Sequence, residues 1–291
     1  MAVSSTTPEP AALAPGLPAG AAAAVPAAGT SSAAQVSSAA AAVRPRWWGE
    51  LLIIAWLAWL YDIINDFAPV RVQAALAHGR GILRLEHSLG ISPELALNRW
   101  LSAHQTLGAV LSYYYDNAHF AVTFGLLGWL WLKRADIYRP LRNSLVAVNL
   151  VGMLVFWRYP VAPPRLLASS GFTDVVAASH TLGSWHTGSL AADADQYGAM
   201  PSLHIAWAVW CTLVVWRLTE NVPARVVAVL YPCLTAFAVL ATGNHYLLDL
   251  LGGLATLALA LLLARAWSVA DVTNLLRSRR ACTLPGGRHR P

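Results

Sequence analysis

Long apolar runs alternate with short polar breaks along most of this chain. A bilayer core about 30 Å thick takes about 20 helical residues. Six stretches approach that length: residues 47–67, 107–132, 141–157, 200–216, 224–240 and 245–267. Asp62 and Asp66 end the first stretch at an interface. The second contains Tyr113-Tyr114-Tyr115-Asp116-Asn117-Ala118-His119. Residues 70–102 read differently. They carry Arg71, Arg80, Arg84, Glu86 and Arg99, with Pro93 as an interruption. That pattern predicts short amphipathic helices lying on the membrane. A polar loop over 158–199 is rich in Gly, Ser, His and Asp. The expected fold is all-α: a polytopic membrane protein, a bundle of six transmembrane helices.

Composition supports one membrane domain. Of 291 residues, 57% are hydrophobic and 12% charged, with 13 Trp, well outside the range of an ordinary soluble domain. Residues 1–43 are rich in Ala, Pro, Ser and Thr and contain no basic residue. They cannot bury a core and lack the charged start and apolar stretch of a signal peptide. The expected organisation is a disordered cytoplasmic tail over 1–46, a six-helix domain over 47–268, and a basic cytoplasmic tail over 269–291.

The net charge of +6 comes mostly from arginines beside apolar runs or in the tail. No basic stripe with interleaved aromatics appears, so nucleic acid is not an expected partner. Lys133, Arg134, Arg139 and Arg142 separate the second and third stretches, and Arg217 and Arg225 the fourth and fifth. With six spans, these fall on one side together with Arg44, Arg46 and the tail. The positive-inside rule makes that side cytoplasmic, although the opposite side carries arginines too. The expected protein is multi-pass in the cell membrane, with both termini inside. Cys211 and Cys233 lie in apolar runs and Cys282 in the tail, forming neither a disulfide framework nor a zinc signature.

Several polar residues at the ends of these runs have the makings of a reaction site. His245 and Asp249 are one helical turn apart and share a face. The aspartate can fix the imidazole tautomer and stabilise its cation. Such a histidine can attack phosphorus and carry a phosphohistidine, or it can be an interfacial histidine beside a satisfied aspartate. Pro201-Ser202-Leu203-His204 reads as a helix start. There Ser202 caps the helix, its N–H groups suit an anion, and His204 can protonate a leaving alkoxide. Arg158 and Arg165 flank the proline-stiffened strip Tyr159-Pro160-Val161-Ala162-Pro163-Pro164. They can bind phosphate oxygens or anchor a helix end to headgroups. Asp116 and His119 form a candidate headgroup pocket, or satisfy each other. The loop segment 183–195, His186 in particular, either lines a substrate pocket or is solvated polarity, and His180, His186, Asp193 and Asp195 also suggest a metal. Their spacing fits no metal signature.

At these residues the chain resembles the type 2 phosphatidic acid phosphatase superfamily, whose pattern is K-x6-R-P, then P-S-G-H, then S-R-x5-H-x3-D. Arg158 stands at the lysine and Arg165 at the arginine. Pro201, Ser202 and His204 match the second block, with Leu203 replacing glycine. His245 and Asp249 match the third, but Ala238 and Val239 replace its Ser-Arg. The His-Tyr-x-x-Asp form and general layout are similar to the branch containing aureobasidin-sensitive inositol phosphorylceramide synthases. The resemblance implies a six-helix membrane enzyme with no metal and no other cofactor. It makes His245 the nucleophile, Asp249 its partner and His204 the general acid. Arg158, Arg165 and Ser202 hold the phosphate. The expected reaction is hydrolysis of a lipid phosphate or diphosphate at the extracytoplasmic face, where the active-site loops lie. Transfer of a phosphoryl or phosphoinositol group to a lipid, sugar or inositol hydroxyl is the alternative. The lipid bilayer and a lipid phosphate are the expected partners, and no oligomeric state follows from the sequence. Two other classes are disfavoured. A non-catalytic lipid transporter would mark a midplane route with polar residues, and an intramembrane serine protease would leave both arginines without a role.

Overall fold

The computed structural model describes residues 44–66, 71–168, 170–179 and 197–282, the side chains of 65, 66 and 267–282 excepted. Six long or apolar helices occupy the six expected stretches: α1 (Trp47–Asp66), α4 (Gln105–Lys133), α5 (Ala135–Arg158), α7 (Leu203–Leu218), α8 (Val222–Ala241) and α9 (Leu247–Cys282). Between them lie α2 (Val72–Leu89), α3 (Glu94–Ser102) and the single turn α6 (Val175–Ala178). Among the described residues the only strand-like pairing is one isolated bridge, Val161 to Gly198.

Among the described residues four helices are long and apolar enough to cross a membrane: α1, α5, α8 and α9. The other two expected spans fall short for different reasons. At 16 residues α7 rises only about 24 Å. At 29 residues α4 is long enough, but its Tyr113–His119 stretch dilutes the apolar run. Lipid is nonetheless the solvent the surface calls for. No described side chain of α1 is fully buried, and Trp47, Trp48, Leu51, Leu52, Trp56 and Trp59 are all exposed. A helix apolar all round and this exposed is satisfied by hydrocarbon, not by water.

Local sequence accounts for the helix ends. Gly90 takes the left-handed conformation (φ +69°) after α2, donating its N–H to the Glu86 and His87 carbonyls, as a C-terminal glycine does. Asn221 caps α8 by accepting the Ala224 N–H at 2.9 Å. Gly243 (φ +77°) turns the chain between α8 and α9.

The bundle packs α7 against α8, α9 against α5 and α7, and α3 against α8. One core cluster gathers Leu130, Tyr138, Leu145, Val148, Trp210, Val214 and Leu257 from α4, α5, α7 and α9. The Trp210 indole N–H donates to Ser144 Oγ at 2.9 Å, so burying the ring orphans no donor. Near it the start of α1 meets the α4–α5 turn. Arg44 donates to the Leu132 carbonyl, Trp131 to the Pro45 carbonyl, and the Tyr138 hydroxyl to Glu50.

Helices α2 and α3 are more than surface amphipaths. Each has an outward polar face, but α2 buries Ala75, Gly79, Ile82 and Glu86, and α3 buries Glu94, Asn98 and Leu101. Ala75, Ile82, Val161, Ala162, Leu167, Ala199 and Tyr246 form a second cluster, which ties α2 to the proline strip and the segments before α7 and α9. A Cβ on Gly79 would lie 2.5 Å from the Ala162 carbonyl oxygen and 2.8 Å from the Tyr246 hydroxyl. Only glycine permits that approach.

Candidate active site

Three chain segments far apart in sequence meet at one end of the bundle. They are the strip after α5, the start of α7 and the start of α9. Backbone bonds stitch them together. Ser202 N–H donates to the Asp249 carbonyl at 2.9 Å, and Arg165 N–H to the Gly243 carbonyl at 3.0 Å. The Val161 and Ala199 N–H groups donate to the carbonyls of Tyr197 and Val161. The Tyr246 hydroxyl closes the cluster by donating to the Ala162 carbonyl at 2.9 Å.

The helices approach closely because small residues line the contact. Gly252 and Gly253 lie on α9 against Met200, Pro201 and Ser202. A Cβ on Gly253 would run into the Ser202 carbonyl. Two glycines in an apolar helix signal close backbone approach, but sequence reading did not single out this pair. Leu203, which replaces the family glycine, has its own accommodation. A Cβ on Gly152 of α5 would meet Leu203 Cδ2 at 2.6 Å, so a glycine on the facing helix makes the room that Leu203 fills.

His245 is buried, with 4% of its surface exposed, and Asp249 is completely buried. His245 Nδ1 lies 2.8 Å from the Ala199 carbonyl oxygen and 3.3 Å from Asp249 Oδ2. Both partners are acceptors, so Nδ1 carries the proton and donates to both. Nε2 of the neutral ring is then a lone pair. Asp249 Oδ2 also accepts the Tyr246 N–H at 2.9 Å, which pins the carboxylate. Asn244 and His245 N–H groups share the Val239 carbonyl at 3.2 Å, fixing the loop that presents the ring.

His204 stands across from His245, with ring centroids 5.7 Å apart and planes at 67°. Tyr115 of α4 stacks on it at 4.5 Å and His119 meets it edge-on at 4.3 Å. His119 Nδ1 donates to the Tyr115 carbonyl at 3.1 Å. A cavity of about 10 Å³, near the volume needed for one water, is lined by Tyr114, Tyr115, His119, His204, Thr235 and Val239 among others. Asp116 is buried on the same helix but does not line that cavity. Ser202 is fully buried before α7, and among the described residues its Oγ has no hydrogen-bond partner, so it precedes the helix without the expected side-chain cap.

The two arginines part company. Arg165 is drawn in: its side chain is 5% exposed, and Nε donates to Asp174 Oδ2 at 3.0 Å. Asp174 is itself fixed, accepting the Ala177 N–H at 2.9 Å as the cap of α6. Arg158, the last residue of α5, is exposed and has no ion-pair partner among the described residues. Where the family pattern has Ser-Arg, Ala238 and Val239 are buried in the core of α8, so that position supplies no cation. His180, His186, Asp193 and Asp195 lie outside the described residues. Among the described residues no group of three His, Cys, Asp or Glu is placed to hold a metal.

Sequence reading missed Asp174, and it missed Asn98. The Asn98 amide donates to the Thr173 and Ala241 carbonyls at 2.9 and 3.0 Å and accepts the Thr173 N–H at 2.8 Å. It joins α3, the Asp174 loop and the end of α8. An isolated Asn in an amphipathic segment gives no warning of this. Neither a curated protein nor a solved structure matches the chain. A family pattern does, over residues 80–263, a stretch that takes in α2, α3, the proline strip, both histidines and Asp249. The facing histidines, of which His245 is buried, and this match over more than half of the sequence make the chain a member of the PAP2 superfamily.

Proposed function

We propose that this protein is a lipid phosphate phosphatase or phosphotransferase working through a phosphohistidine at His245. PAP2 superfamily membership supports activity of the phosphatase or phosphotransferase type. The observation that carries the reading is the Nδ1–H of His245 committed to Asp249 and Ala199, which leaves the opposite nitrogen as a nucleophile with a second imidazole facing it.

The reaction runs in two balanced steps. Nε2 of His245 attacks phosphorus, and the bond from phosphorus to the alkoxide or phosphate leaving oxygen breaks. His204 gives that oxygen its proton. Water then attacks phosphorus and passes a proton to His204, and the N–P electron pair returns to Nε2. An alcohol in place of water gives transfer. Asp249 offsets the positive charge on the phosphorylated ring. Arg165, Arg158 and the Ser202 hydroxyl hold the phosphoryl oxygens, and Asp116 and His119 border the headgroup. The resemblance of His-Tyr-x-x-Asp to inositol phosphorylceramide synthases favours transfer as the second reading.

For topology, six spans put the site at the extracytoplasmic face. The support is that the histidines lie where α5 ends and α7 and α9 begin, whereas Lys133, Arg134, Arg139 and Arg142 cluster where α5 begins. The positive-inside rule assigns that basic end to the cytoplasm. An exposed apolar surface and a phosphate site at a helix-bundle end fit a lipid phosphate at the membrane in which it dissolves.

The test is turnover by purified full-length protein of phosphatidic acid, a prenyl diphosphate and a phosphoinositol lipid, with EDTA throughout. Free phosphate without added acceptor supports hydrolysis, and product only with an added alcohol supports transfer. His245→Ala with full activity refutes the nucleophile. Activity in detergent, where transport is impossible, separates an enzyme from a transporter.

A further inference from the structure

Glu86 on α2 and Glu94 on α3 have no part in that chemistry, yet both are completely buried. Two uncompensated carboxylates inside a protein are costly, so their partners matter. Glu94 Oε1 accepts the Leu247 N–H at 2.8 Å, and Glu86 Oε1 accepts the Leu248 N–H at 2.6 Å. The preceding N–H, of Tyr246, goes to Asp249 Oδ2. Three consecutive N–H groups entering α9 are thus each met by a different carboxylate. These are groups the helix itself cannot satisfy, and anions there complement the helix dipole.

The remaining oxygens, Oε2 of each glutamate, accept no N–H among the described residues. Because their Oε1 atoms accept consecutive N–H groups, those of Leu247 and Leu248, the two buried carboxyl groups lie side by side. Two carboxylates so placed cannot both be ionised and still bond; one proton between them makes a stable monoanion. Burial is the main cause that pushes Glu86 up to about 8, with Glu94 and Asp249 adding to the rise and the Leu248 N–H opposing it. The groups facing the pair are Asp249 and Tyr246 beside α9, with His245 immediately behind them.

We propose that Glu86 and Glu94 form a proton-sharing positioning pair. It clamps the first turn of α9 and thereby holds His245 and Asp249 in register, and it fails when the shared proton leaves. The proposal rests on His245 as the reacting residue. Neither glutamate touches the reacting atoms. They act through the backbone of Leu247 and Leu248, two and three residues from His245.

The experiment uses full-length protein with dilauroyl phosphatidic acid as probe and compares Glu94→Gln, Glu94→Ala and Glu86→Ala. Wild-type kcat is expected to fall on the alkaline side with a midpoint near 8, where the shared proton departs, with KM little changed. The Ala variants lose an N–H acceptor and let the ring drift, which is expected to lower kcat about 100-fold. Glu94→Gln recovers most of that loss, because its carbonyl accepts the Leu247 N–H. Its NH2 replaces the shared proton at every pH, so the alkaline fall disappears. Thermal melting against pH gives a readout that needs no substrate: wild-type loses stability as pH rises from about 4.5 toward about 8 and Glu94→Gln does not. Folded Ala variants with wild-type kcat overturn the positioning role, and a Glu94→Gln melting profile identical to wild-type overturns the shared proton. His245→Ala with full activity refutes the nucleophile instead, and leaves the melting result to decide the pair.

Discussion

Asp249→Asn isolates the charge that the proposed mechanism puts beside the reacting ring. The substitution is nearly isosteric. An asparagine oxygen in place of Oδ2 can still accept from His245 Nδ1 and Tyr246 N–H, which now lie at 3.3 and 2.9 Å. Its NH2 takes the place of Oδ1, which accepts no hydrogen bond among the described residues, so one amide group is left buried and unpaired there. What disappears is the negative charge. During reaction the phosphorylated ring carries a positive charge about 4 Å from that carboxylate, an attraction of about 4 kcal/mol at an effective dielectric of about 20. At about 1.4 kcal/mol per decade, kcat falls about 1000-fold. Substrate binding precedes the charge, so KM changes little. Rapid-quench measurement of acid-labile phosphate on His245 reads the chemical step directly. Wild-type labelling rates in a folded Asp249→Asn protein refute the charge argument, and a raised KM with intact kcat shifts Asp249 to a binding role.

Three further outcomes follow from particular contacts. Gly253→Ala puts a methyl into the Ser202 carbonyl. Overpacking of this kind costs about 1–3 kcal/mol, seen as a lower melting temperature in detergent with loss of activity. Asp174→Asn releases Arg165 from its ion pair at 3.0 Å and is expected to raise KM for a lipid phosphate more than it lowers kcat, measured by steady-state kinetics. Melting temperature is expected to fall as pH rises from about 4.5 toward about 8. Across that window the unfolded Glu86 has lost its proton and the folded one keeps it, so folding takes up a proton and stability declines.

Much of the architecture was legible in the chain. Apolar run length located six helices, because each run must satisfy its own backbone in lipid, although α5 begins at Ala135 rather than 141 and α9 runs on to Cys282 rather than 267. The expectation for residues 70–102 was half right. Helical amphipathicity was visible, but which face was inward was not. Glu86, Glu94 and Asn98 look like surface polarity in a sequence, and their burial depends on backbone groups of Thr173, Ala241, Leu247 and Leu248, at least 75 residues away. The departures from the family pattern behave likewise. Leu203 becomes intelligible only beside Gly152, and Ala238 and Val239 only as core residues of α8.

By itself the sequence determined the helices, the apolar surface and the candidate reactive side chains, since run length, turn residues and the i, i+4 spacing of His245 and Asp249 are local properties. Only the tertiary structure decided that His204 faces His245, that Arg165 is held by Asp174 while Arg158 is exposed, and that two buried glutamates cap α9. Those outcomes depend on which helices touch and how closely. Close packing of small residues and the need to partner every buried N–H fix them across long stretches of chain.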